Sequence, residues 1–450
     1  MKKSIIIALM VVTANFSCRN NGTEPPSSDF QLIAEDVGVT EVWLRVKATA
    51  RVEPRRLTLS CDGQTILSID SPPLDTLILS DRLSPKHSYN YTATLTGKSF
   101  LLTYTAQLNV TTMDTTSHDF TWQIDTLGDG ASTYLRDVFI INDTCVWAVG
   151  EIHTNETDRN DSAGHWVDPY NVAYWNGQIW ELKRTFDQGF LYGSLYAVFA
   201  FNPNDVWVGS TIPEHWDGQK WTFYGTPRGF PGGFYINKIW GTNSNNIYIA
   251  GTGGSLVWSD GMRWETQNTG TTVNLTDVWG TTDNKEVWTC GWNDSDGRSV
   301  LLRLHKGALQ TLWDRSVLTP PYIYRSFLSS LWSSGSGEFI LTGGEVYRHS
   351  LINLNLVRDE YVKTDNGYRL LDLGNFSYRV RGNARNDIML VGDDGMMWHW
   401  NGIRWHRYDQ LHRPNDILYS VSVIKNMVVA VGTRYTNGPF SHALVIHGRR

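Results

Sequence analysis

Short runs of alternating apolar and polar residues occupy the chain from residue 29 onward, and residues typical of turns separate them. Alternation with a period of two predicts β-strands that are buried on one face. Composition changes near Trp122, because Trp43 is the only one of the 20 tryptophans that precedes it. We therefore predict an all-β chain with one domain at 29–114 and a second at 118–450.

The domain at 29–114 is predicted to be a β-sandwich, since about seven short strands with turn residues between them are typical of that fold. The segment 83–91, LSPKHSYNY, then resembles the tyrosine corner of fibronectin type III domains: Leu83, Pro85, Tyr89 and Tyr91 match it. Trp43 lies where such domains carry a core tryptophan. The resemblance implies a spacer or adhesion module, and a spacer between membrane and second domain is favoured.

The domain at 118–450 repeats one unit of four strand-like runs every 40 to 60 residues. The third run ends in Trp-Asp/Asn-Gly and the fourth begins with Trp. The second runs, which end in Gly, show the repeat best: VWAVG (146–150), VWVG (206–209), IYIAG (247–251), VWTCG (287–291), FILTG (339–343), IMLVG (388–392) and VVAVG (428–432). Four strands per repeat at this period predict the blades of a β-propeller.

The two ends of the repeat region predict how the ring closes. The last repeat stops at 443–450, after its third strand, whereas 120–128 reads as a fourth strand with no blade before it. We expect this N-terminal strand, with Trp122, to complete the seventh blade and remove an open sheet edge. A seven-bladed propeller follows, with six or eight blades as the alternatives.

The string HWDGQKW at 215–221 recurs in related form in several repeats. Asp217 and Gly218 suit a tight hairpin turn, and Trp216 and Trp221 would pack on either side of it. These repeats resemble Trp/Asp-Gly propellers related to the BNR and photosystem-assembly-factor repeats. They depart from the sialidase Asp-box, because Asp and Gly are adjacent here, and they lack the Gly-His…Trp-Asp pair of WD repeats.

The first 17 residues have the pattern of an export signal, with Lys2 and Lys3 before a short apolar run. Ser17-Cys18 then resembles a bacterial lipobox, although Asn15 and Phe16 depart from its pattern. The resemblance implies a lipid on Cys18, a linker at 18–28 and a place in the cell envelope, at the outer membrane or cell surface. The alternative is ordinary signal-peptidase cleavage beside an incidental cysteine.

Charge and cysteine content narrow the choice of partners. The net charge of −6, without a basic run, argues against a nucleic-acid partner. Cys61, Cys145 and Cys290 have no metal-ligand spacing, so buried thiols are favoured and a disulfide stays open. No cofactor or metal is predicted, because 293–297 reads as a polar turn rather than half of a calcium loop, and 151–170 as a plain insertion.

No established catalytic motif occurs in the sequence. A sialidase-type hydrolase needs three converging arginines, and we interpret the available ones as solvated surface residues. These arginines are Arg325, Arg369, Arg379, Arg381 and Arg385. We therefore predict no catalytic residue and no enzyme activity.

One end of the predicted ring is elaborated. Loops from strand four to the next strand one are long and aromatic, at 183–194, 224–235, 314–327 and 407–419, whereas loops between strands one and two are short and polar. Binding residues are often carried by loops on a rigid scaffold. The candidate ligand contacts are Phe190, Tyr192, Phe230, Phe234, Tyr322 and Tyr324. The alternative is that these aromatic residues only hold their own loops in place.

The sequence thus predicts an exported, lipid-anchored, non-catalytic binding or scaffold protein. Its expected partner is an extracytoplasmic protein or glycan, and it would contact the membrane through the N-terminal lipid. Two alternatives remain: a carbohydrate-active hydrolase or lyase on the same fold, and a structural component of envelope assembly.

Overall fold

The computed structural model describes residues 7–8, 29–97, 103–187, 189–191, 193–315, 327–335, 338–350, 363–364, 367–368, 371–436, 438 and 440–450. They form two compact units, the first up to Thr116 and the second from Ser117 onward. Every long element in these ranges is a β-strand, and none of the helices described there is long and apolar enough to cross a membrane.

The first unit is built from two antiparallel sheets with a shared core. One sheet contains Phe30–Val37, Val42–Ala48 and Asp75–Ser80, with the short strand Ile7–Ala8 on the edge of the last; the other contains Pro54–Cys61, Gln64–Asp70, Ser88–Gly97 and Thr103–Thr111. A 3-10 turn, Ala50–Val52, joins the two sheets. Alternate residues of both sheets, such as Leu44 and Leu57, are fully buried against each other.

The segment that resembles a tyrosine corner contains two tyrosine hydrogen bonds. The Ser84 N–H donates to the Tyr89 hydroxyl at 2.7 Å, and the buried Tyr91 hydroxyl donates to Ser80 at 2.9 Å. The expectation for Trp43 was wrong, since its side chain is half-buried and lies outside the described core. In a strand with period two, burial of the neighbouring Val42 and Leu44 turns Trp43 to the opposite face.

The second unit contains seven four-stranded antiparallel sheets among the described residues. Sheets 1 to 6 each contain four strands that follow one another in the chain. They are, for sheet 1, Tyr134–Asn142, Cys145–Ile152, Tyr170–Trp175 and Trp180–Lys183; for sheet 2, Ala197–Asn202, Asp205–Gly209, Pro213–Trp216 and Trp221–Phe223; for sheet 3, Ile236–Asn243, Asn246–Gly251, Leu256–Ser259 and Trp264–Gln267; for sheet 4, Leu275–Gly280, Glu286–Trp292, Ser299–His305 and Ala308–Asp314; for sheet 5, Leu328–Ser333, Glu338–Gly343, Glu345–Ser350 and Leu371–Asp372; and for sheet 6, Ser377–Ala384, Asp387–Gly392, Met397–Trp400 and Trp405–Arg407. Sheet 7 contains Asp416–Ile424, Met427–Tyr435 and Ser441–Arg449, and its fourth strand, Thr121–Leu127, comes from an earlier part of the chain.

Short elements decorate these sheets. They are the hairpins Arg159–Asn160 with Trp166–Val167 and Lys363–Thr364 with Gly367–Tyr368, and the 3-10 turns Thr226–Arg228, Thr252–Gly254 and Asp409–Leu411. The first strand of each sheet contacts the first strand of the next sheet, and that of sheet 7 contacts that of sheet 1. Second strands such as Asn246–Gly251 are buried throughout, because neighbouring sheets cover both of their faces.

The Trp-Asp-Gly hairpins pack as predicted. Trp216 and Trp221 are directly paired across the turn, with ring centroids 5.5 Å apart. The Asp217 carboxylate accepts the N–H groups of Gln219 and Lys220, both at 2.9 Å. Gly218 has a φ of 92°, a left-handed conformation that glycine adopts without steric cost. The motif therefore builds the edge of a sheet.

Thr121–Leu127 pairs along its whole length with Ser441–Arg449, so residues from both ends of the second unit share one ladder. Trp122 lies opposite Gly448 and covers it so closely that a side chain would not fit there. The Trp122 ring also packs on Tyr408 of sheet 6 at 4.9 Å. This strand thus joins sheet 7 and contacts sheet 6 as well.

The residues just before this strand form a cluster that we name the histidine latch: His118, His399, Asp387 and Arg450. His118 Nδ1 lies 2.8 Å from His399 Nδ1, and His399 Nε2 lies 3.0 Å from the Asp387 carboxylate. Arg450 donates to the other oxygen of Asp387 at 2.6 Å. With His399 Nε2–H donating to Asp387, the neutral His399 ring accepts a hydrogen bond from His118 Nδ1–H at its own Nδ1.

The three cysteines after residue 29 are buried and reduced. Cys290 is fully buried, and this burial raises the pKa of its thiol well above the ordinary value. The prediction of buried thiols is confirmed for Cys61, Cys145 and Cys290. Cys18 lies outside the described residues.

Candidate functional site

A β-bulge near the start of the first strand recurs in six of the seven sheets. The register shifts between Leu135 and Asp137 in sheet 1, and at the equivalent place in sheets 3 to 7. A bulge leaves one residue out of the ladder and redirects its side chain. The skipped residues are Arg136, Asn237, Thr276, Ser329, Tyr378 and Tyr419. They lie at the end of the ring that carries the long loops.

Aromatic residues and one arginine form a continuous arc at this end. We name it the mouth arc: Tyr134, Arg136, Tyr196, Tyr235, Tyr378 and Tyr419. The Arg136 guanidinium lies 4.7 Å from the Tyr134 ring centre and 4.5 Å from that of Tyr419. Tyr378 contacts Tyr419 at 5.4 Å, and Tyr196 contacts Tyr235 at 6.0 Å. Cation–π contacts of this kind stabilise a cation at a partly dry surface.

The hydroxyl groups of Tyr134, Tyr378 and Tyr419 remain protonated at neutral pH, because burial raises their pKa. Burial raises the pKa of Tyr134 to about 12, and the neighbouring Glu151 adds to that rise. Burial likewise raises the pKa of Tyr378, with a further contribution from the charge of Asp393. The Tyr134 hydroxyl lies 3.2 Å from the Glu151 carboxylate. The arc therefore offers hydroxyl donors, with two carboxyl groups at its border.

The next residue of the first strands faces the axis of the ring and builds a buried charge network. Asp137 accepts from Lys238 Nζ at 2.6 Å, from Ser420 at 2.7 Å and from the Val198 N–H at 2.9 Å. Asp137 and Ser420 have no exposed surface, and Lys238 is almost fully buried. Sheets 1 and 3 are not neighbours, so the Asp137–Lys238 pair crosses the axis.

Asp277 of sheet 4 holds the other half of this network. It pairs with Arg381 at 2.7 Å and with Arg379 at 3.0 Å, and it also accepts from the Ser330 hydroxyl. Burial alone would raise the pKa of Asp277, but Arg381 and Arg379 outweigh it, so the pKa is lowered. Arg381 also lies over the Trp279 ring at 4.7 Å. We name these residues, with Asp137, Lys238 and Ser420, the axial network.

The axial network corrects the interpretation of the arginines as solvated residues. Arg379, Arg381 and Arg385 are buried in sheet 6. Arg379 and Arg381 both bind Asp277 rather than solvent. The contacts between the first strands of the sheets bring them together with carboxylates that lie far away in the sequence. Arg325 and Arg369 lie outside the described residues.

The predicted contact residues divide into three groups. Phe190 is 71% exposed on its loop. Phe230, by contrast, is 1% exposed and packs on Phe234 at 5.6 Å and on Trp264 at 5.2 Å. The prediction that Phe230 contacts a ligand is therefore wrong, and the half-buried Phe234 mainly covers it. Tyr192, Tyr322 and Tyr324 lie outside the described residues.

Further aromatic side chains are exposed at the same end of the ring. They come from the loop between sheets 1 and 2, from the insertion in sheet 1 and from the connection between the second and third strands of sheet 7. These residues are Trp166, Phe186, Tyr435 and Phe440. Phe190, and Tyr235 of the mouth arc itself, are exposed at this end as well.

No metal-binding arrangement is found in the described part of the chain, since no three His, Cys, Asp or Glu side chains lie suitably together. The polar loop at 293–297 satisfies its own groups: Asp296 accepts the Arg298 N–H at 3.0 Å, and Asn293 accepts the Asn274 N–H at 2.9 Å.

Sequence reasoning missed both the mouth arc and the axial network. A signal was present, because the third residue of the first-strand repeat is charged in four copies: Asp137, Lys238, Asp277 and Arg379. Recurrent charge in an otherwise apolar strand indicates paired ions. The residue before it is Arg136, Tyr378 or Tyr419 in three copies, but only the bulge directs it to the mouth.

No protein-family model matches the sequence, and no curated protein matches it either. Among solved structures, the chain is similar to "YCF48 bound to D1 peptide" with a TM-score of 0.51 and 13% identity, over 75% of this chain and 100% of that one. It is also similar to YCF48 from Cyanidioschyzon merolae, with a TM-score of 0.48, 14% identity and coverage of 72% and 98%. The second unit is a β-propeller.

A third similar structure is PorZ, a surface component of the type-IX secretion system of Porphyromonas gingivalis. Its TM-score is 0.48 with 11% identity, over 88% of this chain and 60% of that one. The likeness to "YCF48 bound to D1 peptide", at 13% identity, establishes the fold alone, and function must be argued from this chain's own residues.

Proposed function

We propose that this protein is an exported, non-catalytic, lipid-anchored protein whose propeller binds an extracytoplasmic protein segment. The observation that carries the proposal is the mouth arc above a filled axis. A rigid ring holds the arc in place, and further exposed aromatic residues lie at the same end of the ring. Such residues are enriched at protein interfaces, where they bury large area at low cost in side-chain entropy.

The buried ion pairs along the axis support a binding function rather than a hydrolytic one. An acid and a base that act on a substrate must be free to exchange protons with it. In the described residues at the axis, Asp137 and Asp277 are both held by buried cations and hydroxyl groups. A carbohydrate-active hydrolase or lyase would need another carboxyl pair, so this alternative is less favoured. We therefore propose no catalytic residue.

A protein partner is favoured over a glycan for two reasons. The exposed aromatic residues are spread over three sheets, an area that suits an extended polypeptide. In addition, the structure "YCF48 bound to D1 peptide" holds a peptide on a protein with this fold. Glycan binding and a purely structural role in envelope assembly are alternative outcomes of the test below.

The test replaces exposed aromatic residues at the mouth and compares them with exposed apolar residues at the opposite end. Phe190→Ala with Tyr235→Ala removes side chains that are 71% and 55% exposed. Met262→Ala with Ile403→Ala is the matched control, because both residues are exposed at the hairpin ends. We expect the first pair to weaken partner binding at least about tenfold, since few anchors carry most binding energy.

Binding would be measured by quantitative crosslinking to envelope proteins and by a glycan array, after each variant shows the wild-type melting curve. Loss of protein crosslinks only in the mouth variant supports the proposal. Equal loss in both variants, or binding confined to glycans, contradicts it. A chain that crosslinks to nothing and binds no glycan favours the structural role.

We further propose that the seven sheets are the blades of a seven-bladed propeller closed by Thr121–Leu127. The full ladder with Ser441–Arg449 and the contact between the first strands of sheets 7 and 1 support it. A chain that begins at residue 130 should melt far below one that begins at residue 116. Equal melting temperatures would contradict this closure.

Export, anchoring and the fibronectin type III-like character of the first unit also belong to this proposal. The Ser84–Tyr89 hydrogen bond and the sheet order support the last of these. We propose that the unit is a spacer and that Cys18 carries the lipid. Cys18→Ala should move the protein from the membrane fraction to the soluble fraction; continued sedimentation with membranes would contradict it.

A further inference from the structure

We infer that Arg136, held between Tyr134 and Tyr419, is the subsite that binds a carboxylate group of the partner segment. This inference rests on the proposed function and names the chemistry of its anchor. Arg136 is the one basic residue of the mouth arc, and it lies in the centre of it.

Arg136 differs from two other arginines at this end of the ring, Arg434 and Arg184. Arg434 forms two hydrogen bonds to the Asp416 carboxylate, at 2.9 and 2.7 Å. Arg184 stacks on the Tyr170 ring at 3.8 Å, yet it donates twice to the Asp168 carbonyl. Arg136 contacts tyrosines, and among the described residues it has no carboxylate partner and its Nε has no acceptor.

The Arg136 guanidinium group has more hydrogen-bond donors than it has acceptors around it. Arginine has five N–H donors in a planar fork. Here the guanidinium lies over the ring faces of Tyr134 and Tyr419, which accept none of these donors in a strong hydrogen bond, and its Nε has no acceptor among the described residues. A carboxylate matches the remaining fork with two parallel charge-assisted bonds. The half-dry aromatic surroundings strengthen such a pair relative to one in water.

The charges around the arc favour a monoanion over a phosphate. The Glu151 carboxylate accepts a hydrogen bond from the Tyr134 hydroxyl, and the Asp393 carboxyl group lies beside Tyr378. The next charged residue below, Asp137, is already balanced by Lys238. The single charge of Arg136 can balance one negative charge of a ligand, whereas Glu151 and Asp393, which contact the tyrosines, would repel a second one. A polypeptide has two sources of monoanion: its C-terminal carboxylate and its Asp or Glu side chains.

The experiment measures both sources directly. A random library of nine-residue peptides with free C termini is selected on the wild-type protein. Each enriched peptide is then resynthesised with a C-terminal amide, and separately with Asn or Gln in place of Asp or Glu. We expect one of the two changes to weaken binding at least tenfold. Arg136→Gln should weaken binding of the parent peptide to the same extent and should abolish the difference between the two peptides.

Arg184→Gln is the matched control, because Arg184 is also stacked on a tyrosine but is already satisfied by a carbonyl. It should retain the preference for the carboxylate peptide. A preference for the C-terminal carboxylate and a preference for a side-chain carboxylate both support the subsite and identify its source. Peptides that bind equally well in all forms overturn it while leaving the proposed function intact.

A second measurement does not depend on the partner. N-acetyltyrosine and N-acetyltyrosinamide differ only in the carboxylate, and saturation-transfer NMR reports their contact with the protein. We expect the wild type to saturate the acid at least several-fold more than the amide, and Arg136→Gln to saturate both equally. Equal saturation by the wild type overturns the subsite. If no library peptide binds but the acid is preferred, the proposed function fails and the carboxylate subsite stands.

Discussion

Acid should loosen the closing strand through the histidine latch. His118 is held as a neutral ring beside His399, and Arg404 and Arg450 carry positive charge nearby. Burial first, and then the neighbouring His399 and His406, lower the pKa of His118 to about 4. Burial also lowers the pKa of His399, although Asp387 opposes that effect. Protonation of His399 at Nδ1 removes the acceptor of the bond from His118. Protonation of His118 places a positive charge beside His406 and Arg404.

The sign follows from proton linkage. A histidine whose pKa is lowered by folding binds fewer protons in the folded chain than in the unfolded chain, and the difference appears below pH 6.5. Its contribution to stability is therefore complete above that pH and is lost as the pH falls toward 4. A pKa of about 4 for His118 corresponds to at most about 3 kcal/mol between pH 8 and pH 4. Because its ring is half-buried and screened by solvent, we expect about half of that, roughly 1.5 kcal/mol.

The perturbation is His118→Phe, measured by urea unfolding of the whole protein at pH 8 and pH 4. The variant lacks the titrating ring, so it should lose about 1.5 kcal/mol less stability than the wild type over this pH interval. His165→Phe is the control, since the His165 side chain is 79% exposed, and it should behave as the wild type does. Carboxylates titrate equally in all three proteins, so the difference isolates the latch. If the wild type and His118→Phe lose the same free energy of unfolding between pH 8 and pH 4, this reasoning is refuted.

Three further predictions concern single buried groups and are measured by equilibrium unfolding. Phe230→Ala should lower the free energy of unfolding by about 3–5 kcal/mol, because it leaves a cavity in the core. Phe190→Ala should change that free energy by less than about 0.5 kcal/mol, because its side chain is exposed. Similar effects of the two substitutions would contradict their different burial. Asp277→Asn should lower the free energy of unfolding by about 3–5 kcal/mol, because it leaves two buried arginines without their carboxylate. An unchanged free energy of unfolding would show that this ion pairing does not stabilise the fold. Burial raises the pKa of Glu214 to about 8, so the wild type should lose stability as the pH rises through 8; Glu214→Gln should remove this loss, and an unchanged alkaline limb would contradict it.

Much of the local structure was determined by the sequence alone. Each Trp-Asp/Asn-Gly hairpin is fixed within a few residues, because Gly218 takes the left-handed conformation and Asp217 accepts the next two N–H groups. The hydrogen bond from Ser84 to Tyr89 is equally local, because the two residues are five positions apart. Seven Gly-terminated runs predicted the strands, and the strand at 120–128 was found because its partner was missing from the last repeat.

The candidate site was predicted less well, because burial of a loop residue depends on how the loop folds. Phe190 and Phe230 are both aromatic residues of similar loops, yet Phe190 is exposed and Phe230 lies in the core. Trp264 of the neighbouring hairpin covers Phe230, and no local pattern indicates that contact. Arg136 had no predicted role, since its position depends on a bulge in the ladder.

Only the tertiary structure decided the mouth arc, the axial network and the histidine latch. Their partners are separated by 101 residues for Asp137 and Lys238, by 104 for Asp277 and Arg381, and by 281 for His118 and His399. A period of two or a turn motif carries information over a few residues. Contacts between distant residues such as these form only when the sheets pack together, because that packing brings the first strands of non-neighbouring sheets within hydrogen-bonding distance of each other.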